Sequence, residues 1–487
     1  MALLVPPEVI ASLNSRLIWV LVFIAAVVSR IISRRYWTLI RDISGPFWRS
    51  FPSLWVVSQL WKGHLEAEQT RLHRKHGYCV RIRDNEVSVS HPDAVRQLLH
   101  ANIAKFNYIQ GTWYAIFSLP DYHYVNQMSE MVPRRHIEEA PYDVDTVLAL
   151  FTKAIDKYSQ AGKPFEFSTW FTFFAFDVLG EVTFSNSFGF VGTGINIGNA
   201  IANTRSLALY VAVMDHYTWF HNLTLGNPLL SRLGIQPSSH IFGTCLAAIS
   251  ARKENPEVRK DMMQQWLDTR AKYPGRMAEN EIFAAAVANV GADVDTVIAA
   301  LQSRFYYLLR YPQYLQQLRA ELDTAQAQEE LTQIVQDNEA QKLPFLQACI
   351  KEIYWFQNSV PSPLPRVVPK GGMTIGGRYF PEGVIFSINP WVYHRNPALF
   401  GGDCDQFNPD RWLLGDTKTM ESFLIHWGAG YNQCPELNLA HFKITKITAT
   451  LIRDFEFKLT DPKKEWEWTN HFTFVPWGSP CNVRRSF

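Results

Sequence analysis

The stretch from Glu279 to Leu309 constrains this chain most. It has no proline, a single interior glycine at Gly291, and a mostly apolar composition. Read as one helix of roughly 30 residues it reaches about 45 Å, the width of a whole folded body. Helical spacing continues on its N-terminal side back to about Val144 and forward to Leu322, with polar breaks at Gly162-Lys163-Pro164 and Tyr273-Pro274-Gly275. The remaining signals are shorter. Tyr78–Ser90 alternates around Arg83-Asp84-Asn85 and reads as a β-hairpin. From Val367 onward, glycine and proline punctuate short alternating runs, so strands and turns follow, and a last helix from about Asn438 to Arg453 leads into the strand FEFKL. The expected fold class is mostly α with a small β part, in one domain.

Composition removes several functions. Apolar residues make up 47% and charged residues 19%, too much core and too little repulsion for a disordered chain. The 47 basic and 45 acidic residues leave a net charge of +2, so no field of one sign draws in nucleic acid. An aromatic content of 14% suits a large apolar pocket or a membrane-facing body. Six cysteines lie far apart with no CxxC, which fits neither a disulfide framework nor a zinc site. Five of them read as core thiols; Cys434 stands apart.

At the N-terminus, Leu17–Ile32 is apolar except for Ser29 and Arg30. Sixteen helical residues reach about 24 Å against a hydrocarbon core of about 30 Å, and Arg30 can snorkel while Val9–Leu13 lengthen the span. A buried core helix and a cleaved signal are the rivals, but no small-x-small cleavage site follows. Arg30, Arg34, Arg35 and Arg41 outnumber Arg16 on the other flank, which puts the body on the cytosolic side of a bilayer. The expected division is an anchor and linker over 1–45 and a catalytic domain over 46–487.

Three motifs carry chemistry. Cys434 lies in HWGAGYNQCPELNLAHFKI, where Gly428 and Gly430 tighten the chain and a helix starts just after the cysteine. A thiolate there is stabilised by the helix dipole and free amides, and a glycine-lined loop lets backbone approach a flat cofactor. By pattern alone a structural loop explains it as well. In the long helix, Asp295 and Thr296 put an acid beside an alcohol, a pair able to pass protons into a buried site; a back-bonded or solvated face is the plain alternative. Glu352 on a later helix and Arg411 in FNPDRW offer a distant ion pair.

Taken in order, the anchor, the acid–alcohol pair, Glu352, LPRVVP, FNPDRW and the cysteine loop resemble a cytochrome P-450, a haem-thiolate monooxygenase. The resemblance spans the whole chain and is closest to membrane-anchored fungal enzymes of secondary metabolism. It implies haem as cofactor, with Cys434 as the iron's thiolate ligand and Trp427, Gly428 and Gly430 shaping its loop. Arg366 of LPRVVP and His136 would meet the haem propionates, Glu352 and Arg411 would brace the cysteine loop, and Asp295 and Thr296 would deliver protons during dioxygen activation. Electrons would come from an NADPH-dependent reductase in the same membrane, the endoplasmic reticulum, and the substrate would be a lipophilic small molecule.

The pattern is broken at several places. Trp355 stands where the family's ExxR ends in arginine, Asn432 replaces the arginine two before the ligand, and Glu436 the glycine two after it. Ala140 replaces the arginine of HxxxR after His136, Asp293 replaces a glycine of the long helix, and Val297 the second threonine. Asp293 reads either as a negative charge on the oxygen-binding face or as an extra acid. Restoring arginine at 355 is expected to raise haem retention. Two other functions stay open: a haem enzyme of non-hydroxylating chemistry, and a haem-poor pseudoenzyme that binds a pathway intermediate.

Overall fold

A computed structural model describes residues 7–47, 53–99, 144–214, 216–224, 239–254, 261–274, 279–414, 417–430 and 433–486. The first helix, α1 (Pro7–Tyr36), is longer than the apolar run that announces it. Its segment Leu17–Tyr36 has a mean hydropathy of 2.1, and none of it is buried against protein, so it is not a core helix. Its far end is held firmly. Arg81, fully buried, donates from Nη2 to the Arg34 carbonyl (2.6 Å) and from Nη1 to the Arg35 carbonyl (3.2 Å). Carbonyls in a last helical turn have no partner within the helix, so a guanidinium there serves as a cap. Ile40 and Ile43 then enter the core among Val87, Val89 and Phe386.

The hairpin forms where alternation indicated it, as β1 (Cys79–Arg83) and β2 (Glu86–Val89), with Cys79 opposite Val89. Two strands from the C-terminal half, β3 (Leu364–Val367) and β4 (Ile385–Ile388), complete a four-stranded sheet of order β1-β2-β4-β3. β2 and β4 run parallel, so this sheet joins the first hundred residues to the last hundred and fifty. Before it in space stand α2 (Leu54–Lys62) and α3 (Leu65–His76).

The helical body is built from α4 (Val144–Ala161), α5 (Phe167–Phe184), α6 (Ala200–Met214), α7 (Glu279–Arg310), α8 (Pro344–Phe356) and α9 (Leu437–Asp454). α5 is apolar on every side and accordingly buried along its length. The 32-residue α7 lies along it, Phe305 meeting Phe167 and Phe171 with ring centroids 5.2 Å away in each case. α7 also touches α8 and α9, which brings the acid–alcohol pair, Glu352's helix and the helix after Cys434 around one space. β5 (Phe455–Leu459) follows α9 directly and pairs with β6 (Pro480–Arg485).

Candidate active site

The cysteine loop is closed by its own backbone. Gly428 and Gly430 take φ of 73° and 63°, the left-handed region in which a side chain is strained. That folding lets the Cys434 amide donate to the Trp427 carbonyl at 2.7 Å. α9 begins three residues later at Leu437, so the sulfur sits at a helix N-terminus. Without a metal, burial pushes the thiol up to about 12, with Glu436 adding to the effect and Lys443 opposing it. A thiol in this setting becomes a ligand only against a strong positive charge, which ferric iron provides.

Arg366 is buried on β3. Its Nη1 reaches only the neighbouring Pro365 carbonyl (2.9 Å), and its Nε has no partner among the described residues. Burial alone pulls the guanidinium down to about 10. A buried cation with no carboxylate beside it is costly until an anion arrives. The residues present therefore fit haem: a thiol at a helix start for the iron and an unpaired guanidinium for a propionate. His136, Ala140 and Asn432 lie outside the described residues.

Behind the loop, Glu352 is fully buried and accepts three hydrogen bonds: from the Asn408 amide (2.6 Å), Arg411 Nε (3.1 Å) and Trp412 Nε1 (2.7 Å). Burial raises its carboxyl and these donors oppose the rise. Arg411 spends its other N–H groups on Asp403 and the Gln406 carbonyl. Its guanidinium carbon lies 4.3 Å from the centre of the Trp355 ring. The indole thus faces the remaining guanidinium where the family's pattern has a second one, a cation–π contact in place of an ion pair. This answers the deficit at 355 that the sequence pattern raised.

His394, a lone histidine with no role legible in the sequence, links this brace to the loop. The Ile425 amide donates to His394 Nε2 (3.1 Å), so Nε2 is the acceptor and Nδ1–H is left to donate to the Trp355 carbonyl (3.0 Å). Burial holds its pKa down to about 3, so the ring is neutral. Arg304, fully buried on α7, was missed as well; its charge helps hold His426 down to about 3. Only an irregular polar residue in an apolar helix marked it.

On α7 the acid and the alcohol diverge. Thr296 Oγ1 donates to the carbonyls of Ala292 (2.9 Å) and Asp293 (3.2 Å), along the helix's own groove. Asp295 turns toward α6, where it lines a small pocket with Thr204 and Arg205. Burial raises its carboxyl to about 6 and the Arg205 charge opposes this. Asp293 is neither a free charge nor a free acid: its Oδ1 meets Lys443 Nζ of α9 at 2.5 Å.

A family model for cytochrome P450 matches residues 45–476. The chain belongs to the cytochrome P450 family. This P450 is 30% identical over 462 residues to the cytochrome P450 monooxygenase cicH of Emericella nidulans, covering 89% of the chain and 91% of that protein. It is 31% identical over 458 residues to a cytochrome P450 monooxygenase of Aspergillus terreus, covering 87% and 91%. The crystal structure of a cytochrome P450, CYP102L1, superposes with a TM-score of 0.72 at 17% identity over 86% of this chain and 94% of that one. The P450 is thus a haem-thiolate monooxygenase by family and fold, with a small-molecule substrate and a redox partner.

Proposed function

We propose that this P450 inserts one oxygen atom of dioxygen into a lipophilic small molecule, in fungal secondary metabolism, with electrons from an NADPH-dependent reductase. The observation that carries this is Cys434 just before α9, its amide folded back onto the Trp427 carbonyl. Haem, when bound, supplies the iron at which dioxygen is activated. Cys434 would be its ligand, Trp427, Gly428 and Gly430 would hold the ligand's loop, and Arg366 would meet a propionate, with His136, outside the described residues, as the second expected contact. Thr296 would supply a hydroxyl from α7 by giving up its hydrogen bonds to the helix's own carbonyls. Asp295 lines the pocket beside Arg205 on α6, so any proton it carries would enter from that side and not at the cysteine loop.

The substrate's route is consistent with a lipophilic molecule. An apolar pocket opens between α2, β1, α6 and β3, lined by Val56, Leu60, Ile82, Val211, Pro365 and Phe472. One buried polar group on it is fixed in direction. The Trp391 amide donates to Asn389 Oδ1 (2.9 Å), Asn389 Nδ2 to Gln69 Oε1 (2.6 Å), and Gln69 Nε2 is left without a partner among the described residues. Residues 1–45 serve as anchor and linker and 46–487 as the catalytic domain. α1 crosses the endoplasmic-reticulum membrane with the domain on the cytosolic face, beside its reductase.

The reduced protein under carbon monoxide tests this reading. A red-shifted, thiolate-type Soret band is expected in the parent and is lost in Cys434→Ala; its persistence there sinks the ligand assignment. Turnover with NADPH, reductase and labelled dioxygen should put label into product. Product without label would indicate rearrangement or dehydration, and absence of haem a pseudoenzyme.

A further inference from the structure

Where α7 and α9 meet near the start of the ligand's helix, two charged side chains are fully buried together and Glu436 is half-buried. Asp293 and Lys443 form an ion pair of 2.5 Å with side chains 1% and 2% exposed. Glu436, at the N-cap of α9, lies within electrostatic reach of both: Asp293 raises its carboxyl and Lys443 lowers it. Asp293 Oδ2 and Glu436 Oε1 are buried with no hydrogen-bond partner among the described residues. The ion pair thus joins α7 to the helix that begins three residues after Cys434. Two of the three stand where the family pattern has glycine, so the cluster belongs to this chain.

We propose that Lys443 is a positioning residue of the haem site: its ammonium neutralises Asp293, ties α7 to the helix that begins at the ligand, and so sets the electrostatic potential at the iron. A long helix and a ligand-bearing helix joined by one buried ion pair keep their spacing only while the pair is intact, because either charge left alone is strongly disfavoured at this depth. The ammonium also counts at the iron. The Asp293–Lys443 pair is neutral, and removing Lys443 leaves the Asp293 charge alone, which disfavours adding an electron to the haem. The inference rests on the haem-thiolate reading.

The test uses the full chain and five proteins: parent, Lys443→Met, Asp293→Asn, the double variant Asp293→Asn/Lys443→Met, and Lys443→Arg as the conservative rescue. A parent that lacks the thiolate band refutes the haem reading itself; with that band present, the cluster alone is on trial. Haem per chain should fall severalfold in Lys443→Met and return in Lys443→Arg and in the double variant. The ferric/ferrous midpoint potential should be most negative in Lys443→Met, alike in the parent and the double variant, and most positive in Asp293→Asn. A merely structural brace would not produce that order. Equal potentials in Asp293→Asn and the parent would overturn the proposal, as would a double variant less stable in haem binding than Lys443→Met. Asp293→Asn keeps it falsifiable even if Lys443→Met does not fold.

Discussion

At position 355 an indole takes the place of a guanidinium, and its neighbours decide what a reversion would do. Arg411 already satisfies Glu352 and lies on the Trp355 ring. An arginine there would set two cations against one buried carboxylate with no aromatic face between them. Trp355→Arg is therefore expected to lower stability by about 1–3 kcal/mol and to leave haem retention no better, the reverse of what the sequence pattern suggested. Chemical denaturation together with haem content checks it. Asp295 yields a pH prediction. Its folded value of about 6 lies above the ordinary 3.8, so the folded chain holds that proton more tightly than the unfolded one. Its contribution favours the fold below about pH 4 and is lost as pH rises through about 6. Asp295→Asn should melt higher than the parent above pH 7 and lose that advantage near pH 4. The motif residues were legible because their chemistry is local: a cysteine after glycines, an acid beside an alcohol. His394 and Lys443 were not, since a lone histidine and a lysine on an amphipathic helix acquire meaning only from partners 39 and 150 residues away in sequence.

Elements were more readable than their contacts. Periodicity placed the long helix over Glu279–Leu309 and the structure ends it at Arg310; the last helix, expected over Asn438–Arg453, runs Leu437–Asp454. α1 runs from Pro7 to Tyr36, taking in both the apolar run Leu17–Ile32 and the Val9–Leu13 extension read before it. Nothing in the sequence said that Arg81, inside a strand of the hairpin, would cap that helix; alternation marks it only as one face of β1. Its loss leaves carbonyls of a last turn bare and buried. Arg81→Met should free the Tyr36–Ile43 connection, read as faster limited proteolysis there, at a cost of about 1.5–3 kcal/mol for hydrogen bonds to a charged group.

At the scale of the whole molecule, the chain combines an apolar helix with no buried residue over Leu17–Tyr36 with a body whose core falls into several clusters, the sheet strands β2 and β4 in one and α9 in another. Deleting residues 1–36 should release the protein from sedimenting membranes while the carbon monoxide band persists; a truncated protein that still floats with vesicles would place the membrane contact elsewhere. The overall class was readable from composition and helix length, whereas the joining of the sheet's two sequence-distant halves required the parallel pairing of β2 with β4, which no local pattern encodes.

The capped end of α1 also limits how the body moves. Because Arg81 grips the last turn from inside the sheet and Ile40 and Ile43 are seated just beyond it, the tether is a stiff mount with no swivel at its base. With α1 crossing a bilayer as proposed, any tilt of it in the lipid would tip the domain with it. Bilayer thickness, by setting that tilt, would then determine the height above the lipid at which the pocket mouth rides.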